Sequence, residues 1–82
     1  MPDEKKTKEI TDAYRFRWIA AVAQAIPIMF HRHALTARVD EFSRAIYWMA
    51  TMPDDYIIRN PQIFDEIEYH ASEVVKYSVM PR

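Results

Sequence analysis

The 82-residue chain contains no glycine and no cysteine. Tight hairpin turns, strand bulges and left-handed helix ends use glycine more than any other residue, so its absence argues against a β-sheet protein. It also excludes the two common glycine-rich phosphate-binding loops. Without cysteine the sequence offers no disulfide and no thiolate ligand for a soft metal, which favours a reducing compartment.

The sequence also predicts no export signal. The first nine residues are polar and of mixed charge. A signal peptide instead begins with a basic stretch that runs directly into an apolar one. We therefore expect a cytoplasmic location or the interior of an organelle. The longest apolar run, residues 18–30, is too short to cross a bilayer, which needs about 20 residues.

Half of the residues are hydrophobic, and most of them recur at helical spacing. A first helix is predicted to begin at a cap formed by Thr11 or Asp12 and to run to about Ile26. Pro27 lacks an amide hydrogen, so this helix should end or kink there. The second half of the helix is apolar on every side, which is typical of a helix covered all round or partly in lipid.

Two further helices are predicted, each with one apolar seam. The second starts near Leu35 and stops before Pro53. The third starts at Asn60-Pro61, since asparagine is a good cap and proline is tolerated in the first helical position. Residues 56–58 form either a single turn or an extended link. The two seams, spaced by three and four residues, are Leu35, Val39, Phe42, Ile46 and Met49, and Phe64, Ile67, Ala71 and Val74.

The fold class that follows is all-α, a small bundle of about three helices with the first helix kinked or ended at Pro27. Residues 1–10 are interpreted as a flexible N-terminal tail and residues 11–82 as a single helical domain. A domain of this size buries only about 60% of its unfolded surface. Its core must therefore be efficient or shared with another chain.

Charge is distributed unevenly along the chain, although the net charge is −1. Residues 15–44 carry five arginines against two carboxylates, and residues 53–82 carry six carboxylates against three basic residues. Such asymmetry supports an outside partner without proving one. The simplest interpretation is that the two halves face each other, within the fold or between copies.

Candidate catalytic and metal-binding residues are sparse. His31 and His33 point about 200° apart on a helix and cannot share one metal ion, whereas Glu66 and His70 can share one face. No cysteine or third ligand at a fixed spacing accompanies that pair, and no serine has a base or an elbow motif beside it. We therefore expect no metal, no cofactor, no catalytic residue and no enzymatic activity.

Arginines interleave with aromatic residues around the apolar run. Such a pattern is able to bind phosphates and stack bases, but nucleic-acid modules usually carry a net basic charge, which this chain lacks. The flanking arginines, aromatics and histidines also fit a helix at a membrane surface. Burial against protein fits equally well, and Trp, Tyr, Met and Arg are enriched at protein interfaces.

The partner predicted from the sequence is another protein chain, in a homo- or hetero-oligomer. Two single-seam helices are able to cover each other, but a helix that is apolar all round leaves one side bare in a three-helix monomer. With this interface assigned, Trp18→Ala is expected to cost the monomer less stability than Phe42→Ala. The predicted interface residues are Trp18, Val22, Ile26 and Phe30, with Arg15 and Arg17 at the rim.

Residues 11–26, Thr-Asp-Ala-Tyr-Arg-Phe-Arg-Trp-Ile-Ala-Ala-Val-Ala-Gln-Ala-Ile, resemble the first conserved helix of the small omega subunit of bacterial RNA polymerase. The resemblance implies a helical accessory subunit of a larger assembly, and it covers this one helix. The Lys-Arg-Ala step of the omega helix is absent, with Ala-Val-Ala-Gln at residues 21–24 in its place. No later Lys-Pro segment follows.

Overall fold

The computed structural model describes residues 4–32 and 35–78. These residues contain no strand, which confirms the all-α prediction. The three predicted helices are present, and residues 56–58 belong to a fourth, short helix. The helices are α1 (Glu4–His31), α2 (Arg38–Thr51), α3 (Asp54–Arg59) and α4 (Pro61–Ser78).

The first helix begins earlier than predicted. It includes residues 4–10, which the sequence had assigned to a flexible tail. Thr11 is therefore not a helix cap. Its side chain is fully buried, and its hydroxyl donates a hydrogen bond of 3.0 Å to the carbonyl of Lys8 one turn earlier.

The first helix also continues through Pro27 and ends at His31. Proline removes one backbone hydrogen bond and crowds the preceding turn. Pro27 is exposed, so this disturbance falls on the solvent side of the helix. The buried side, with Ala25 and Met29, stays packed in the core. Of the two predicted outcomes at Pro27, an end of the helix is therefore wrong.

Helix α2 begins at Arg38, three residues after the predicted start near Leu35, and the boundaries that follow it lie at or beside proline and asparagine. Helix α2 ends at Thr51, before Pro53, and α4 begins at Pro61, both as predicted. The role of Asn60 differs from the prediction. Both its backbone amide and its side-chain amide donate to the carbonyl of Tyr56, at 3.0 and 3.1 Å, so Asn60 closes the end of α3.

Helix α1 is the element shared by the whole bundle. Helices α2 and α4 both pack along it and α3 also touches it, whereas α2 and α4 make little contact with each other. Residues 32–37 join α1 to α2, and so short a connection makes these two helices antiparallel. The molecule is flat, with principal extents of 54 × 24 × 16 Å. One side of α1 is therefore covered by two helices.

The core is centred on Trp18, which exposes none of its surface. Its ring stacks between Tyr14, with centroids 5.3 Å apart, and Phe64, with centroids 4.8 Å apart. Aromatic pairs at such distances contribute beyond the area they bury. The buried hydrophobic residues are Trp18, Val22, Ala25, Met29, Phe42, Ala45, Met49, Ile57, Phe64 and Ala71.

The prediction that Trp18 and Val22 form a surface for another chain is wrong for this fold, because both are fully buried within their own chain. The sequence argument assumed that α2 and α4 would cover each other and leave α1 partly uncovered. Instead α2 and α4 both turn their seams towards α1. We call its buried residues Trp18, Val22, Ala25 and Met29 the inner seam.

The central position of Trp18 reverses the predicted order of stability effects. Trp18→Ala should lower the free energy of unfolding by about 3–5 kcal/mol, at least as much as Phe42→Ala, because it leaves a large cavity in the inner seam. Urea unfolding of dilute protein measures this. Phe16→Ala, on the same helix but exposed, is the control and should change stability by less than about 0.5 kcal/mol. A smaller loss for Trp18→Ala than for Phe42→Ala would contradict the assignment.

Candidate interaction surface

Arg15 joins three helices beneath the surface. Its side chain is only 15% exposed and lies 2.7 Å from Asp54 at the start of α3. The guanidinium also donates to the carbonyls of Met49 and Met52 at the end of α2. These contacts hold Arg15 inside the fold, whereas the sequence predicts it at the rim of an interface.

The guanidinium of Arg15 changes the pKa of the Asp54 carboxyl group. The hydrogen bond from Arg15 lowers the pKa of Asp54 below its ordinary value of 3.8, and the positive charges of Arg15 and Lys8 act in the same direction. Partial burial opposes the change, but the hydrogen bond from Arg15 is the larger effect. Asp54 is therefore held in its charged form beside Arg15.

Arg17 and Trp18 are both bound to α4. Arg17 lies 2.8 Å from Asp65 and 3.0 Å from Glu68, and the indole N–H of Trp18 donates to the same oxygen of Asp65 at 2.8 Å. Arg17 and Arg15 thus pair with carboxylates of the acidic half of the chain. For these two arginines, the charge asymmetry along the chain is explained by ion pairs within the same chain. Neither arginine is left to bind phosphates without breaking an ion pair.

The opposite side of α1 carries a second row of apolar residues, which we call the outer seam. It consists of Ala13, Phe16, Ala20, Ala23, Pro27 and Phe30, at spacings of three, four, three, four and three. Five of the six residues are exposed and Ala20 is half-buried. Phe16 exposes 77% of its surface and Phe30 58%. No charged residue occurs between Arg17 and His31, so most of this face is uncharged.

The predicted interface residues therefore divide between the two sides of α1. Trp18 and Val22 lie in the inner seam, and Ile26 is half-buried against the core. Phe30 alone belongs to the outer seam. Arg17 remains about half exposed while paired with α4.

Most of the outer seam was not predicted, because alanine and proline are weaker indicators of an interface than tryptophan and isoleucine. The signal was nevertheless present. A helix that is apolar all round contains two interleaved rows, and each row keeps its own spacing of three and four residues. Assigning one row to the core leaves the other as the exposed row.

A second apolar surface lies between α2 and α4. The two helices leave a cleft of about 250 Å³ whose walls include Phe42, Ala45 and Ile67. The ring of Trp48, about half exposed, lies at its edge with Glu41 and Arg44. Glu41 and Arg44 are opposite in charge, so the cleft favours neither an acidic nor a basic partner.

The histidines show the contacts of surface residues. His31 and His70 are exposed, and His33 lies outside the described residues. His70 and Glu66 are 3.8 Å apart on successive turns of α4. Within residues 4–32 and 35–78, no group of three potential ligands is close enough to hold a metal ion.

Comparison with known proteins found no matching family model, no matching curated protein and no matching solved structure. None of the helices in the described part of the chain is both long enough and apolar enough to span a membrane.

The Arg15–Asp54 contact predicts a specific acid sensitivity. Because the pKa of Asp54 is lowered in the folded state, its contribution to stability is present above pH 3.8 and is lost as the pH falls below that value. Urea unfolding between pH 5 and pH 2 should therefore show that the free energy of unfolding falls more steeply with pH for the wild type than for Asp54→Asn. Asp55→Asn is the matched control for replacing an acid at the start of α3. Parallel curves for the wild type and Asp54→Asn would contradict the prediction.

Proposed function

We propose that this protein is a non-enzymatic interaction module that binds another protein chain through the outer seam of α1. It acts either as a homo-oligomer or as a small accessory subunit of a larger assembly. The observation that carries this proposal is a row of exposed apolar residues, with Phe16 and Phe30 near its ends, on a helix whose other side already fills the core.

Exposed single apolar residues are common in proteins, but a continuous row is not. The outer seam extends over about 25 Å, since Phe30 lies 17 positions after Ala13 and each position adds about 1.5 Å. Nothing in the inner packing of α1 requires apolar residues on this side. A polar face would serve a monomeric helix equally well, so the outer seam is best explained by a partner that covers it.

The proposed surface lies on the helix that the sequence indicated, but on its other side. The physical argument for an uncovered side of α1 still applies, while Trp18 and Val22 belong to the covered side. Arg15 and Arg17 act within the fold, through α2, α3 and α4.

Two alternatives from the sequence receive less support. A nucleic-acid-associated role would use the arginines near Trp18, but these are paired with Asp54, Asp65 and Glu68. An omega-like role rests on the resemblance of residues 11–26 alone. A membrane-surface role needs large apolar side chains along the buried face of the helix. The centre of the outer seam consists of alanines, which suit the close approach of another helix better than insertion into lipid.

The proposal predicts that one charge in the outer seam removes the partner. In extract of the native cell, the wild-type protein should elute above the 9.8 kDa mass of one chain on size-exclusion chromatography. Ala23→Glu should elute as the monomer, because the introduced carboxylate would be buried unpaired at the interface. Ala50→Glu, an exposed alanine of α2, is the matched control and should elute like the wild type. Elution of all three at the mass of one chain would overturn the proposed function.

A further inference from the structure

We infer that the partner covering the outer seam is a second copy of this chain, with the two α1 helices packed antiparallel about a two-fold axis. This inference rests on the proposed function and names the partner. A two-fold interface uses the same patch on both chains, so the patch must be complementary to itself. The outer seam satisfies that condition in side-chain size and in charge.

Size complementarity appears in one antiparallel register. With Ala20 opposite Ala23 of the second copy, Phe16 lies opposite Pro27 and Phe30 lies opposite Ala13. Each phenylalanine then meets a smaller residue, and all six seam residues have a partner. The alanine pairs at the centre allow the two helix axes to approach to about 8 Å.

The edges of the outer seam fit the same register. Ile19 and Ile26, both half-buried, come near each other along one edge. Arg17, along the other edge, comes near the uncharged Gln24 and can keep its contacts with Asp65 and Glu68. A depression of about 270 Å³ lies beside Ala13, lined by Ile10, Tyr14 and Arg17 as well. In this register the ring of Phe30 in the second copy lies next to the depression.

The two ends of the outer seam differ in charge. Residues 4–12 carry three lysines and three carboxylates, with two of the carboxylates nearest to the seam, whereas residues 31 and 32 are both basic. Glu9 and Asp12 are exposed just before its first residues, and His31 and Arg32 are exposed just after its last. Antiparallel packing in this register brings Asp12 of each copy near His31 of the other, whereas parallel packing would bring the two copies of Asp12 together and the two copies of Arg32 together. Asp12 also pairs with Lys8 at 3.8 Å in its own chain, an exposed contact that adds little.

The size of the contact indicates a weak dimer. One helix face about 25 Å long falls at the small end of specific interfaces, well below the roughly 800 Å² per partner of a standard one. We therefore expect reversible association at about micromolar concentrations or above.

Sedimentation equilibrium of the purified protein tests the inference. The apparent mass should rise from 9.8 kDa towards twice that value as the concentration increases. Ala23→Glu should raise the dissociation constant at least tenfold, and Ala50→Glu should leave it within about twofold of the wild type. Circular dichroism of both variants should match the wild type, because both alanines are exposed.

Because the natural chain has no cysteine, single cysteines report the direction of packing. A disulfide needs Cα atoms within about 7 Å. Protein carrying Ala13→Cys mixed with protein carrying His31→Cys should form a mixed disulfide under mild oxidation. Ala13→Cys alone should not, because antiparallel packing separates the two copies of residue 13 by about 25 Å.

Three outcomes would overturn the inference. The first is that the wild-type protein stays monomeric at every concentration, whether or not it binds anionic lipid vesicles. The second is association that Ala23→Glu leaves unchanged, and the third is a disulfide formed by Ala13→Cys alone. If purified protein is monomeric but the protein in extract elutes above the mass of one chain, the inference fails while the proposed function stands.

Discussion

The contact between Arg15 and the end of α2 compensates for two features of this sequence. The carbonyl of Met49 would normally accept a hydrogen bond from the amide four residues later, but that residue is Pro53, which has none. A glycine in the left-handed conformation often closes a helix end, and this chain has no glycine. The guanidinium of Arg15 donates to Met49 and Met52 instead. The end of α2, the start of α3 and the first half of α1 are thereby fixed together.

Fixing that end of α2 beside α1 determines which faces the other helices cover. Helix α2 returns along α1. Helix α4 starts after the short α3 and packs on α1, where its Asp65 accepts a hydrogen bond from Trp18. Both therefore cover the same broad side of α1, which carries the inner seam. The opposite side receives no helix from the described part of the chain, so its residues contact solvent.

Sequence reasoning predicted the helical class, the seams of α2 and α4 and the helix boundaries at Pro53 and Pro61, because each depends on neighbours within one or two turns. It did not predict which side of α1 faces the core, since both sides are apolar and the choice depends on where α2 and α4 dock. The contact of Arg15 with residues more than 30 positions away was likewise beyond local patterns. The apolar, uncharged character of the candidate surface was predictable, and so were the two rows of α1, but which of the two rows is exposed was not.

The flat shape of the molecule links the fold to the proposed pairing. With α2 and α4 on one side, α1 forms an outer layer of a body only 16 Å across its shortest Cα extent. Packing two such layers against each other would place both α1 helices at the centre, each covered on its two sides. A small domain buries too little surface to stabilise itself strongly, and a second copy adds buried area without lengthening the chain. On this view the alanines of the outer seam belong to a core that is completed only when two chains meet.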